Sequence, residues 1–152
     1  MPITLTSTFV NAVRSGLTPL RFTPGKMEVY HVSATFNGST VTPGAVFQMV
    51  PIPTGARVYD VRVWSEWIGN AAGVFSVGDG SLTNRYVTSA SLTASSRLTL
   101  ANAGLGFKYS VSDDAIFRWD TIDLNVGAGA TQCVTGSIMM TVWFKYEDET
   151  TN

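Results

Sequence analysis

The chain has 152 residues, of which 45% are hydrophobic and only 14% charged, and its formal net charge at pH 7 is −1. A chain of this length forms one domain that buries roughly 70% of the surface of its extended form, so the fold requires neither disulfides nor metal ions. The near-neutral charge and the scattered Lys and Arg residues argue against nucleic acid as a direct partner, and we expect neither a signal peptide nor a membrane-spanning segment.

The first 25 residues differ from the rest of the chain. They alternate apolar and hydroxyl residues, are interrupted by glycine and proline, and offer no short turn that would close a hairpin. We predict an extended N-terminal arm over residues 1–25, a sandwich domain over 26–148 and a disordered acidic tail over 149–152. The arm could pair with the sheet edge of a neighbouring subunit, or form a first strand on its own subunit. Its predicted contact residues are Phe9, Val10, Leu20 and Phe22.

The remainder of the chain has almost no helix signal, because β-branched residues and glycine interrupt every stretch. Strands are predicted over residues 26–36, 45–50, 57–67, 73–77, 85–90, 107–111, 115–126 and 136–147. The Ser- and Ala-rich stretch 91–106 predicts a surface loop or a weak edge strand at 97–100. We therefore predict an all-β protein, an antiparallel β-sandwich of jelly-roll-like order with an extended N-terminal arm.

Four segments carry turn residues. Asn37-Gly38 has the two positions tolerant of positive φ that a tight hairpin needs, and Thr42-Pro43-Gly44 continues as a second loop. The prolines of segment 51–55 remove ladder donors, so this segment should end a strand at a sheet edge or a corner. Gly78-Asp79-Gly80 predicts a hairpin turn, since it lacks the Lys-Ser/Thr pair of a phosphate loop.

Two strands alternate clearly enough to assign their faces. In strand 57–67 the alternation places Tyr59, Val61, Val63 and Trp67 on the core side, and Asp60, Arg62, Trp64 and Glu66 on the polar side. In the last strand it places Ile138, Met140, Val142, Phe144 and Tyr146 in the core, and Trp143 on the polar side. A large aromatic among charges suits contact with a partner better than core filling. We predict a protein-interaction surface that contains Asp60, Arg62, Trp64, Glu66 and Trp143.

The sequence offers little for catalysis. His31 is the only histidine and Cys133 the only cysteine, so paired-imidazole metal sites and internal disulfides are excluded. We interpret His31 as structural and Cys133 as an unreactive thiol. No G-x-S-x-G motif or calcium-loop pattern occurs, and Asp113-Asp114 is interpreted as a turn. We therefore predict no enzyme activity, no catalytic residue, no metal and no cofactor.

The central third of the chain carries two patterns, an "IP-x-GA-x-V-x-D-V" strand over residues 52–61 and a "V-G-D-G…-R-Y" hairpin over 77–86. These patterns resemble small structural proteins of tailed bacteriophages. The resemblance implies a non-enzymatic capsid decoration or cement protein, made in the host cytoplasm and located at the capsid surface of the virion. It would bind the major capsid protein as a dimer or trimer and stabilise the shell by bridging capsomers. The residues also leave open a carbohydrate-binding β-sandwich module or another tail or adaptor component.

Overall fold

The computed structural model describes residues 4–7, 10, 12, 15, 25–41, 43–53, 55–68, 73–80, 82–92, 97–100, 119–127 and 133–146. These residues contain nine strands: β1 (Thr4–Thr6), β2 (Met27–Val41), β3 (Val46–Pro53), β4 (Ala56–Ile68), β5 (Gly73–Asp79), β6 (Val87–Leu92), β7 (Arg97–Leu100), β8 (Trp119–Val126) and β9 (Cys133–Tyr146). They form a five-stranded sheet, β1-β3-β8-β5-β6, and a four-stranded sheet, β2-β9-β4-β7. The predicted all-β antiparallel sandwich is confirmed.

The strands pair in nested order. β2 pairs with β9, β3 with β8, β4 with β7 and β5 with β6, and each of these pairs is antiparallel. Further antiparallel pairs, β4 with β9 and β5 with β8, join the nested pairs into the two sheets. The second half of the sandwich therefore runs back along the first half, and the fold reverses at the β5–β6 hairpin. β1 lies outside this arrangement, parallel to β3.

The core lies between the two sheets, where the inward residues of both sheets form one cluster. On β9 the predicted alternation is confirmed at Ile138, Met140, Val142 and Phe144, which are each 0% exposed, whereas Tyr146 at the end of the strand is only partly buried. Phe47, Ile122 and Leu124 of the five-stranded sheet are buried in the same cluster. Each such side chain contributes about 1.5–3 kcal/mol by leaving water, so this cluster is the main source of stability.

The predicted hairpin at Asn37-Gly38 is wrong. Both residues lie within β2, whose partner is the distant strand β9. Asn37 pairs with Thr135 and Val41 with Cys133, so three residues of β2 stand opposite one residue of β9. The strand absorbs the turn-forming residues as a bulge, because pairing with β9 continues on both sides of them.

The predicted edge positions agree better with the structure. Of the two alternatives for residues 97–100, the edge strand is confirmed, since β7 pairs with β4 and lies at the end of its sheet. β3 ends at Pro53, as predicted for this segment, and Pro51 lies inside the strand. β1 pairs only with Val46 to Gln48, so within the described residues the prolines have β8 as their one neighbouring strand, which confirms the predicted edge. The predicted strand at 107–111 lies outside the described residues.

The start of the predicted arm is held on its own subunit. Thr4–Thr6 form β1 on the edge of β3, and Ser7 donates from its backbone N to the carbonyl oxygen of Gln48 at 2.9 Å. Val10 is 0% exposed, so its side chain belongs to no solvent-exposed surface here. The other predicted contact residues of the arm, Phe9, Leu20 and Phe22, lie outside the described residues.

Candidate protein-interaction surface

The side of the four-stranded sheet that faces away from the core brings the predicted contact residues together. Register places Trp143 of β9 between Val29 of β2 and Asp60 of β4, and Thr141 between His31 and Arg62. One step further, Met139 lies between Ser33 and Trp64, and residues directly opposite in a sheet share a face. We call this surface the outer face; its residues are Val29, His31, Ser33, Asp60, Arg62, Trp64, Glu66, Met139, Thr141 and Trp143.

Arg62 is the centre of the outer face. Its Nε donates to Oδ2 of Asp60 at 2.9 Å, and its guanidinium carbon lies 4.7 Å from the ring centroid of Trp143. The ion pair is partly exposed and contributes at most about 1 kcal/mol to folding, so its main effect is on geometry. Asp60 and Trp143 together hold the guanidinium in one orientation, which reduces the entropy that Arg62 would lose on binding a partner.

His31 is the second fixed side chain of the outer face. Its Nδ1 makes a 2.7 Å hydrogen bond with the hydroxyl of Thr141, which is buried, and its ring meets Trp64 edge-on at a centroid distance of 6.2 Å. The sequence placed His31 within a strand, but it gave no sign that the ring lies beside Trp64. The two residues are 33 positions apart in the sequence. They come together because β2 and β4 lie on either side of β9 in the sheet.

The exposure of Tyr59 differs from the sequence prediction. We expected it on the core side with Val61 and Val63, but it is 41% exposed while both valines are fully buried. The register of β4 against β9 shifts between Val58 and Asp60, so Tyr59 is the extra residue of a bulge. This bulge resets the alternation, and it leaves Asp60, Arg62 and Trp64 on the outward side as predicted. The side chain of Trp67 lies outside the described part of the chain.

The sequence prediction also missed two exposed apolar side chains. Met27 is 50% exposed and Val29 49% exposed, both on β2. The available signal was the alternation of β2, which buries Val32 and leaves Val29, His31 and Ser33 exposed. Met27 and Val29 extend the outer face towards the start of β2.

Asp79 is the centre of a second polar cluster, at the β5–β6 hairpin. The carboxylate is buried and accepts hydrogen bonds from the backbone N of Leu82 at 3.0 Å, from Nε of Arg85 at 2.5 Å and from the hydroxyl of Tyr86 at 3.3 Å. Burial and the negative charge of Asp79 raise the pKa of Tyr86. A Cβ on Gly78 would lie 2.0 Å from the carbonyl oxygen of Leu82, so the turn requires glycine there. The predicted Gly-Asp-Gly hairpin is confirmed, and its own side chains fill it.

Within the described ranges, no group of three or more His, Cys, Asp or Glu side chains is placed to hold a metal ion. Among the same residues, no helix has the length and apolar character needed to cross a membrane.

The fold has counterparts among solved structures. No protein-family model matches the sequence, and no curated protein matches it. A chain in the capsid of Ralstonia phage GP4 is similar with a TM-score of 0.71 and 13% identity, over 96% of this chain and 99% of that chain. A chain in the capsid asymmetric unit of cyanophage Pam1 is similar with a TM-score of 0.61 and 21% identity, over 85% of this chain and 91% of that chain. At these identities the similarity shows a shared fold.

Proposed function

We propose that this chain is a non-enzymatic structural protein of a bacteriophage virion. The observation that carries the proposal is the fold similarity to a chain of the Ralstonia phage GP4 capsid, which runs over nearly the whole of both chains. The two chains are of nearly equal extent, and they share the complete fold rather than a single motif. They are therefore suited to the same kind of structural position. The phage-like patterns of residues 52–61 and 77–86 are an independent sequence argument for the same setting.

The finer role that we propose is that of a decoration or cement protein at the capsid surface. It binds the major capsid protein, acts as a dimer or trimer, and stabilises the shell by bridging capsomers. Binding that exists only in the intact shell adds its interface free energy to the stability of that shell. No catalytic step, cofactor, membrane or nucleic acid enters this role.

We also propose that the sandwich is a jelly roll. The four nested antiparallel pairs, β2 with β9, β3 with β8, β4 with β7 and β5 with β6, support this classification. Two four-stranded sheets arise when such a nested hairpin is rolled up, and β1 is an addition to one of them.

The outer face is the surface that we propose for binding the shell. Tryptophan and arginine are the residue types most enriched at the energetic centres of protein interfaces, and Met139, Trp64, Arg62 and Trp143 are neighbours here. Arg62 is already held by Asp60 and Trp143, so the surface is ordered before binding. Glu66 belongs to the rim of the same surface.

Virions of the phage that encodes the chain provide the first test. Quantitative mass spectrometry of purified heads and tails should find the chain in the head fraction, in a fixed ratio to the major capsid protein. Recovery in the tail fraction would favour a tail or adaptor component. Absence from virions would contradict the proposal altogether.

Rebinding to capsids that lack the chain tests the outer face. The full-length protein should co-sediment with such capsids and raise the temperature at which they release DNA. Trp64→Ala should weaken binding about 30-fold, as expected for the loss of a central interface aromatic. Leu82→Ala is the matched control, because Leu82 is an exposed apolar residue on the β5–β6 hairpin, away from the outer face. Equal binding by both variants would exclude the outer face as the contact surface.

No observation favours the carbohydrate-binding alternative. A sugar ring stacks on an open aromatic face, whereas the guanidinium of Arg62 lies over the ring of Trp143 and His31 contacts Trp64. A glycan array with the full-length protein tests this alternative directly.

A further inference from the structure

The two sheets differ in how far their outward sides are covered. In the five-stranded sheet, the outward residues of the central strand β8 are buried within the single chain, since Trp119 is 7% exposed, Thr121 1% and Asp123 6%. In the four-stranded sheet, Met139 and Trp143 of the inner strand β9 stay partly exposed. Among the described residues, the outer face is therefore the open side of the sandwich.

Arg62 leaves most of its hydrogen-bonding capacity unused on this open side. Its Nε donates to Asp60 and its guanidinium lies over the ring of Trp143, but neither Nη atom has an acceptor among the described residues. A guanidinium has five N–H donors, so four of them remain. They lie at the far end of a side chain that is 35% exposed.

A partner that covers the outer face must supply acceptors for these four donors. An N–H group that loses water on binding and finds no acceptor weakens the complex. Because Asp60 and Trp143 already hold the guanidinium in one orientation, the acceptors have to lie beyond its Nη end. One carboxylate offers two oxygens at the spacing of the two Nη atoms, and this paired geometry is the one that arginine recognises most specifically.

The charges of the outer face favour a carboxylate over a phosphate. Arg62 carries the only positive charge among the residues of the outer face, and Asp60 lies directly beside it. A phosphate carries up to two negative charges, so a single guanidinium that is already paired with Asp60 would compensate it poorly. A carboxylate has one negative charge and places the cation between two anions. The neighbouring Trp64 and Met139 would keep water from this contact, which strengthens it.

We propose that Arg62 binds the carboxylate of an Asp or Glu side chain on the surface of the shell through its two Nη atoms. Apolar contacts to Trp64 and Trp143 surround this ion pair. The inference rests on the proposed function for the shell as the partner, and it adds the chemical group that the outer face recognises.

Binding of full-length variants to capsids that lack the chain tests the contact. Arg62→Gln removes the charge, and we expect binding about 50-fold weaker, as for the loss of one partner of a buried charged pair. Arg62→Lys keeps the charge without the paired donors, and we expect binding about tenfold weaker. Both variants should unfold in urea as the wild type does, because the Asp60–Arg62 pair is partly exposed.

Lys26→Gln is the matched control for the loss of one positive charge. Lys26 is exposed and precedes β2, so it lies outside the outer face. We expect this variant to bind within about twofold of the wild type, as for an exposed charge away from the contact.

Carbodiimide coupling identifies the group that lies opposite position 62. The reagent joins a carboxylate to a primary amine as an amide and takes up the water as a urea, and a guanidinium does not react in this way. Arg62→Lys supplies the amine, and it is used at a concentration above its dissociation constant. Mass spectrometry should then find an amide between position 62 and an Asp or Glu of the major capsid protein.

Two results would overturn the inference and leave the proposed function intact. The first is binding of Arg62→Gln at wild-type affinity while Trp64→Ala binds weakly. The second is capsid-bound Arg62→Lys that couples at position 62 only to Asp60 of its own chain, or to nothing. Capsids that do not bind the wild-type protein would contradict the proposed function itself, and the inference would fall with it.

Discussion

At the scale of single residues, Asp79 shows how the fold uses a buried charge. The carboxylate has no exposed side-chain surface and is satisfied by a backbone N, a guanidinium and a hydroxyl. Asp79→Ala removes the buried carboxylate that accepts from Arg85 and Tyr86, so we expect a loss of about 3 kcal/mol in the free energy of unfolding, measured with urea. Asp60→Ala is the matched control, because the Asp60–Arg62 pair is partly exposed, and we expect a loss under about 1 kcal/mol. Equal losses would show that the hairpin does not depend on this carboxylate.

Tyr86 makes the stability sensitive to high pH. Burial first, and the negative charge of Asp79 second, raise its pKa above the ordinary value of about 10. Above that value the unfolded chain releases the tyrosine proton while the folded protein retains it. The stabilisation from Tyr86 is therefore complete below pH about 10 and is lost as the pH rises further.

Urea unfolding between pH 8 and pH 11 measures this effect. Wild-type stability should fall by up to about 1.4 kcal/mol per pH unit for Tyr86 in the upper part of the range, and Tyr86→Phe should remove that part of the slope. Tyr30, whose pKa is also raised by burial and by Glu28, accounts for part of the remaining slope. An unchanged slope in Tyr86→Phe would contradict the assignment.

At the scale of elements, the attachment of β1 depends on one side chain more than on strand length. Ser7 makes a buried bond to Met49 and accepts one from Val10. We expect Ser7→Ala to lower the free energy of unfolding by about 1–2 kcal/mol. Ser15→Ala is the control, because the Ser15 bond to the carbonyl oxygen of Ala12 is exposed, and we expect no measurable change. A similar loss in both variants would mean that the arm is held by other contacts.

Elements also show where local signals mislead. Asn37-Gly38 has turn chemistry, but β2 continues through it because both flanking stretches pair with β9. Tyr59 follows the apolar alternation of β4, but a bulge opposite β9 moves it to the surface. In both cases the competing influence is a partner strand more than 80 positions away in the sequence, which no local period can report.

At the scale of the whole molecule, the nested pairing predicts slow folding. Val77 pairs with Val87 across a short hairpin, whereas Met27 pairs with Lys145 at the opposite end of the sandwich. Chains dominated by such distant contacts fold in milliseconds to seconds, because loop-closure entropy is lost before the contacts form. We expect tryptophan fluorescence after dilution from urea to change on a timescale between about 10 ms and 10 s. Completion within the dead time of stopped-flow mixing would contradict this prediction.

Local patterns in the sequence were sufficient for the fold class and for most strands. A period of two residues assigned the faces of β9 and of Asp60, Arg62 and Trp64 on β4, because alternation follows from strand geometry alone. Turn chemistry identified the Gly-Asp-Gly hairpin, because the residues of a tight turn adjoin one another in the sequence. These features depend only on neighbouring residues, so one sequence determines them.

Only the tertiary structure decided which of these faces meet. Trp64 and Trp143 lie 79 positions apart, and their common surface with His31 exists because β9 lies between β2 and β4. The bulge at Tyr59, the course of β2 through Asn37-Gly38 and the place of β1 on β3 were decided in the same way. Each depends on pairing between segments that are distant in the chain, and the free energy of such pairing is distributed over both sheets and the core between them.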